Sequence, residues 1–448
     1  MAQKDYINRY LDRTPGSKIL FERAQKIMPG GVSHRQRYFP PYPFFMKAAA
    51  GAKIWDVDDN EYIDLWMGHS ALILGHQPAI VKAALGEVAG LGTHWGVLHE
   101  YEVRFAELIQ QTVPCAEKIV LGVSGTEATM HAVRLARGFT KKRVILKVAG
   151  GWHGANNDLL FAIRSPFDKP ESAGVMPEIA QYTKSIVFND PESTQKTIHE
   201  VKEDLAGIII EPVVGSGGLI PADKGYLEML RHETSRLGAL LIFDEIITGY
   251  RLALGGAQEV YGITPDVVTL GKVCGGGAHL GIIAGRGDIF SLCDPTIKRG
   301  KGESVVVGGG TFSCSPLSMI VGYRVVEYLR SQGKKVYPRI GELGQKLREG
   351  MAEAFQRNGI VGKTTGMGSL CGVYFPYKPE TVVKSPTQMH QLTDLEKLDR
   401  EFRIRMLNHG VFVVHGGGSV SFAHTGEDIK RVIGATEEVA REMKRNGP

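Results

Sequence analysis

Between about residues 115 and 285 the chain repeats one pattern seven times, a short apolar run followed by a stretch of polar or helical character. The runs are KIVLGVS, RVILKV, KSIVFND, AGIIIEP, ALLIFDE, DVVTLGK and GIIAGR. Each is strand-sized, rich in Val and Ile, and ends in glycine or a polar residue. Strands that are apolar on both faces and alternate with helices predict a mostly parallel, seven-stranded sheet covered by helices, an α/β fold. Ligands of such sheets bind beyond the carboxyl ends of the strands. Ser124, Glu211, Asp244 and Lys272 all stand at such ends.

A chain of 448 residues has room for more than this sheet. The segments YPRIGELGQKLREGMAEAFQRNG and GEDIKRVIGATEEVAREMKRN read as amphipathic helices, with short strands LCGVYF and GVFVVHG between them. The expected division is a Pro- and aromatic-rich N-terminal segment (1–55), a large α/β domain (56–318) and a smaller α+β domain (319–448). The N-terminal segment is expected to pack with the small domain.

Several classes are excluded. The net charge is +5 with no block of like charges, which gives a nucleic-acid face no support. No run of 18 apolar residues exists, and the polar N-terminus lacks a signal-type apolar core. Cys115, Cys274, Cys293, Cys314 and Cys371 are odd in number and never spaced CxxC, so neither a disulfide framework nor a metal site is expected. A cytoplasmic location follows as the expectation. Glycine, at 56 residues, is abundant enough to imply backbone that turns sharply or approaches something closely.

Lys272 follows a buried-strand pattern and precedes the glycine run of VCGGGAHLG. A lysine there is either a surface residue at a strand end or, desolvated, a nucleophile toward a carbonyl. Asp244 at the end of another buried strand adds the complementary pole. Pyridoxal phosphate needs both a Schiff-base lysine and an acid that keeps its ring nitrogen protonated. Its phosphate needs a third feature. In GVSGTEATMHAVRLARGF, Ser124, Gly125 and Thr126 open a helix, which makes them an N-cap and, equally, an anion site. GWHG sets Trp152 and His153 between glycines, where the indole either packs in the core or stacks on a flat cofactor. Thr311, in GGGTFSCSP, offers another hydroxyl beside glycines.

Together these motifs make the sequence resemble the class III pyridoxal-phosphate aminotransferases of fold type I, in the branch containing glutamate-1-semialdehyde aminomutase. The resemblance runs from MPGGV at Met28 to FAHTGEDI at Ile429 and includes YIDLWMGHSALILGHQPAIV, IIIEPVVGSGG, LLIFDEIITGYR and TLGKVCGGG. It implies Lys272 as the Schiff-base lysine, Asp244 as the partner of the ring nitrogen, Gly125 and Thr126 at the phosphate, and Trp152 on the ring in place of a tyrosine. It also implies a homodimer in which Thr311 reaches the neighbouring subunit's phosphate. Glu211 and Glu245 are candidates for ordering hydrogen bonds around the cofactor, and Ser216 for its phenolic oxygen.

The departures from the aminomutase pattern fall in the expected pocket. After PGGV, where the aminomutase has Asn-Ser-Pro-Val-Arg, this chain has Ser33, His34, Arg35, Gln36 and Arg37. Arg37 falls in register with the family's carboxylate-binding arginine, and His34 replaces its serine partner. Arg37 is thus a candidate for a substrate carboxylate or a solvated surface charge. His69 replaces a pocket tryptophan, Ser216 an asparagine, and Val123 the asparagine before the helix. These changes favour transamination between an amino acid and a 2-oxo acid, the amino acid being a D-arylglycine-like or β-amino acid. The alternatives are the aminomutase reaction itself and a racemase or epimerase. A Rossmann-type nucleotide binder is opposed by the lack of GxGxxG after the first strand and of a Walker lysine in GTEATMHA. Arg251, in TGYR, is either structural or the holder of a loop near the pocket.

Overall fold

The computed structural model describes residues 5–308 and 310–445. Gly309, within the GGGTFSCSP motif, and the chain ends of the expected N- and C-terminal parts lie outside the described residues. All seven apolar runs are strands of one sheet: β1 Lys118–Gly122, β2 Val144–Val148, β3 Thr183–Ile186, β4 Leu205–Ile210, β5 Leu240–Glu245, β6 Val267–Gly271 and β7 Gly281–Gly285. Their spatial order is β1-β7-β6-β5-β4-β2-β3. Strands β2 to β6 pair in parallel, whereas β7 runs antiparallel between β6 and β1. The short Lys272–Leu280 connection explains β7, because a parallel return needs a crossover of a dozen or more residues. The carboxyl ends of β1 to β6 therefore share one edge, and β7 begins there.

Helix α1 (Gly125–Thr140) covers one face of the sheet, burying Ala128, Ala132, Val133, Leu135 and Ala136 against Ile145, Ile209 and Ile242. The other face packs Phe105, Leu108, Leu227 and Leu230 over Leu146, Ile208, Leu241 and Val268. Burying each such side chain contributes roughly 1.5–3 kcal/mol before chain entropy is charged against it.

The helix expected over 337–359 is the second half of a longer one, α2 (Pro316–Arg357), which begins on the Ser315 cap and contains Pro338. Its Met319, Val325, Val326, Leu329 and Ile340 join the sheet core, and Leu347, Met351 and Phe355 join a second core. That second core also holds Val373, Phe375, Phe402 and Val432. The helix Gly426–Arg445 packs here as well, burying Val439 and Met443. A four-stranded sheet joins Met46–Ala50, Lys53–Asp56 and Glu61–Asp64 to Val411–Phe412, near opposite ends of the chain. Tyr10, Phe21, Phe39 and Tyr42 bury against Ile404 and Leu407. The boundary expected at 55/56 falls inside the strand Lys53–Asp56, and that at 318/319 inside the first turn of α2. Among the described residues no helix is long and apolar enough to cross a membrane, and no cluster suited to a metal ion is present.

Candidate active site

Asp244 is the penultimate residue of β5 and pairs in register with Thr269 of β6, three residues before Lys272. Its carboxylate is nearly inaccessible and must be satisfied by protein donors. Three are in place: His153 Nδ1 at 2.7 Å, the Thr269 hydroxyl at 3.0 Å and the Ile246 amide at 3.1 Å. Two carboxylate oxygens offer about four acceptor positions, so one remains for a further N–H. The His153 ring is buried, and its Nε2 has no partner among the described residues.

Lys272 follows β6 with φ at 45°, a left-handed conformation uncommon outside glycine and often found at functional sites. Its amine makes no hydrogen bond among the described residues. Burial lowers its pKa, and the positive charge of Arg251 adds to the effect; Asp244 and Glu211 oppose it. The result is an amine that gives up its proton more readily than a solvated lysine.

The phosphate candidates sit at the start of α1. Ser124 caps the helix by accepting the Glu127 amide at 3.2 Å, and the Glu127 carboxylate accepts the Val123 amide at 2.7 Å. The first two helical amides, of Gly125 and Thr126, have no partner within the helix. The aligned peptides concentrate positive potential at this end, which suits a phosphate. Glycines keep the place narrow. A Cβ on Gly281, the first residue of β7, would overlap the Ser124 carbonyl, and one on Gly154 would overlap Thr126. Thr129 on α1 donates to the His153 carbonyl at 2.6 Å, fixing the GWHG loop to the same helix.

Glu211, just beyond β4, is buried and accepts the Trp152 amide and the Gly215 amide, each at 3.0 Å. Burial raises its pKa while His153 and these two amides pull it back down. Trp152 itself is half-buried, leaving part of its indole accessible. Glu245 points elsewhere: one residue along β5 from Asp244, it faces the opposite side of the sheet. It bonds Thr248 and the Ala257 and Gln258 amides, which replaces the expected role around the cofactor with that of a helix cap. Ser216 and Thr311 are exposed and make no side-chain hydrogen bond among the described residues. Gly310, next to Thr311, lies against Val123.

Among the residues expected to line a substrate pocket, His69 packs its ring on Trp66 at 4.5 Å and on His34 at 5.6 Å. Burial lowers the His69 pKa to about 4, helped by the positive charges of Lys272, His34, Arg37 and His415. His34 and Arg37 are exposed at the rim. Gly68, His69 and Ser70 all have positive φ, and the bend is held by Arg251. That guanidinium is buried and donates twice to the Ser70 carbonyl, at 2.7 and 3.0 Å, and to Ser369 Oγ at 3.1 Å. Arg251 is thus the holder of the loop that carries His69.

Sequence reasoning missed Thr269 and Lys147. Each stood in plain view as a polar residue inside an apolar strand, VVTLG and VILKV. The Lys147 amine is buried between the Gly151 and Phe161 carbonyls at 2.9 and 2.8 Å.

The residues fit pyridoxal phosphate on the chemistry of the donor set. A carboxylate has one free acceptor position, a deprotonatable lysine stands on the adjacent strand, and two unpaired helix amides are available for a phosphate. Residues 35–425 match the family model for aminotransferase class-III. A glutamate-1-semialdehyde 2,1-aminomutase from Methanosarcina acetivorans is 37% identical over 432 residues, covering 94% of this chain and 97% of that protein. A transaminase solved with PLP bound is 30% identical with a TM-score of 0.86, covering 97% of this chain and 99% of that one. A β-phenylalanine aminotransferase from Variovorax paradoxus is 28% identical with a TM-score of 0.86, covering 98% of this chain and 96% of that one.

Proposed function

The chain belongs to the aminotransferase class-III family and its cofactor is pyridoxal phosphate, and from that premise we propose that it is an aminomutase of the glutamate-1-semialdehyde kind. The amino chemistry rests on one observation, Asp244 and Lys272 at the ends of adjacent strands. The choice of isomerisation is supported by the aminomutase relative, which matches almost end to end. That support reverses the order in which the pocket residues alone rank the two reactions.

Bound pyridoxal phosphate supplies an aldehyde that condenses with amines and a protonated ring that draws electrons from the neighbouring carbon. Asp244 would accept the ring N–H on its remaining acceptor position, and His153 and Thr269 hold that carboxylate in orientation. A charge-assisted bond of this type contributes roughly 1.5–3 kcal/mol. The Gly125 and Thr126 amides and the Ser124 and Thr126 hydroxyls hold the phosphate. Trp152 would cover the ring, and Ser216 would meet the phenolic oxygen. Lys272 Nζ would hold the cofactor and, when free of it, would move a proton to and from the substrate carbon. Arg37, with His34 and His69, receives the substrate carboxylate. The working unit is a cytoplasmic homodimer in which Thr311 serves the neighbouring subunit's phosphate. The division into an N-terminal segment, a large α/β domain and a smaller α+β domain is part of the same proposal, with its boundaries moved off the strand Lys53–Asp56 and the first turn of α2.

Transamination is the second reading. His34, His69 and Ser216 reshape the wall that must retain a substrate while it turns around, and the likeness to a β-phenylalanine aminotransferase supports an amino acid with unusual placement of nitrogen. A single-turnover spectrum separates the two. The yellow holoenzyme is mixed, without oxo acid, with 4,5-diaminovalerate or with L-, D- or β-amino acids. Response to diaminovalerate, with aminolevulinate made from the semialdehyde, is expected for the aminomutase. Bleaching by D- or β-amino acids with release of an oxo acid would overturn it in favour of transamination.

A further inference from the structure

The peptide unit between Gly151 and Trp152 is gripped at both ends by buried ionisable side chains. Its carbonyl accepts a hydrogen bond from Lys147 Nζ at 2.9 Å, and its N–H donates to Glu211 Oε1 at 3.0 Å. Lys147 lies in β2, whose neighbour β4 leads directly into Glu211, so the grip comes from two adjacent strands. The Lys147 side chain has no solvent access and forms no ion pair among the described residues. Its strand neighbours Val144, Ile145, Leu146 and Val148 are all buried and apolar. An amine buried without a carboxylate is costly, and an apolar residue in this strand would avoid that cost. The two carbonyls it meets, of Gly151 and Phe161, match the two N–H bonds of a neutral amine. Burial accordingly pushes Lys147 down to about 7 against the pull of Glu211 and Glu171. The second oxygen of Glu211 is committed to the Gly215 amide.

We propose that Lys147 and Glu211 are positioning residues that lock the Gly151–Trp152 peptide and thereby fix the Trp152 indole over the cofactor ring. The proposal rests on the reading of Trp152 as the residue that covers that ring. Further anchors lie just beyond this peptide, where Asp244 holds the His153 ring and Thr129 the His153 carbonyl. Lys147 and Glu211 therefore hold the peptide on the N-terminal side of Trp152, while His153 is held separately on Asp244.

The test compares Lys147→Met and Glu211→Gln with the parent protein, with Trp152→Phe as a control. Hydrogen–deuterium exchange over residues 149–161 is followed in cofactor-free protein, and quenching of tryptophan fluorescence and cofactor affinity are followed during reconstitution. Lys147→Met is expected to speed exchange in this segment roughly tenfold or more, since it removes the hydrogen bonds to both the Gly151 and the Phe161 carbonyl. It is also expected to weaken cofactor binding by a similar factor and to reduce the quenching. Glu211→Gln keeps an oxygen for the Trp152 N–H and is expected to stay within about threefold of the parent in exchange. Should Lys147→Met fail to fold, Lys147→Gln, whose shorter amide reaches fewer carbonyls, carries the same expectations at reduced size. Unchanged exchange and unchanged quenching in the folded Lys147 variant would overturn the proposal. Cofactor quenching undiminished in Trp152→Phe would instead overturn the placement of Trp152 over the ring, an outcome that the exchange measurement does not share.

Discussion

Lys272 and Asp244 owe their chemistry to opposite treatments by the same fold. The lysine is left without a hydrogen-bond partner among the described residues, and burial lowers its pKa, so its amine gives up a proton more readily than that of a solvated lysine. The aspartate is given three donors that fix its orientation. Lys272→Ala should bind cofactor without covalent attachment and show no turnover above background, as read by absorbance and steady-state assay. Asp244→Asn should retain the fold while kcat falls about 10- to 100-fold, the worth of one charge-assisted bond. Thr269→Val removes only a neutral hydroxyl from the same carboxylate and should cost roughly fivefold. A larger loss from Thr269→Val than from Asp244→Asn would contradict the roles given to both.

At the scale of elements, the site is made by the sheet edge, and glycines set its clearances. Gly281 starts β7 between the ends of β1 and β6, where any side chain meets the Ser124 carbonyl. Gly281→Ala should lower stability by about 1–3 kcal/mol and weaken cofactor binding more than it weakens the fold, because the displaced group caps α1. Denaturant melts of cofactor-free protein beside cofactor titrations would show the difference. Arg251→Met should destabilise by about 1–3 kcal/mol, since the Ser70 carbonyl then loses both its donors. The seven strands, their carboxyl-end chemistry and the Lys272–Asp244 pair were legible because each is written in a local pattern of a few residues. The grip of Arg251 on Ser70 and of Lys147 on Gly151 was not, because it depends on which loops the finished fold brings alongside. Glu245 failed for a nearby reason: adjacent residues of a strand face opposite ways, and only the packed helix Gly256–Tyr261 shows which side carries the site. The continuous α2 was read only over its second half because Pro338 interrupts the pattern without ending the helix.

Across the described residues, segments from 10–64 and 404–412 build one sheet and one aromatic cluster together, so distant parts of the chain meet beside the α/β core. Acid should act on the folded chain through buried histidine. Burial lowers the His424 pKa to about 4, from ~6.5 when unfolded. Between those values the unfolded chain binds the extra proton, so stability falls as pH drops from 6.5 to 4, by about 3 kcal/mol from this residue alone. His69 shifts in the same direction. Unfolding midpoints measured across that range should decline, and a variant His424→Gln should decline less steeply. The central claim, that Lys272 carries pyridoxal phosphate at the edge of this sheet, is tested most directly by borohydride trapping. The purified yellow protein is reduced, digested and mapped by mass spectrometry. The account predicts loss of the visible band and a pyridoxyl-phosphate mass on the peptide containing Lys272. A cofactor fixed on another lysine, or a protein that neither binds nor retains pyridoxal phosphate, would contradict it.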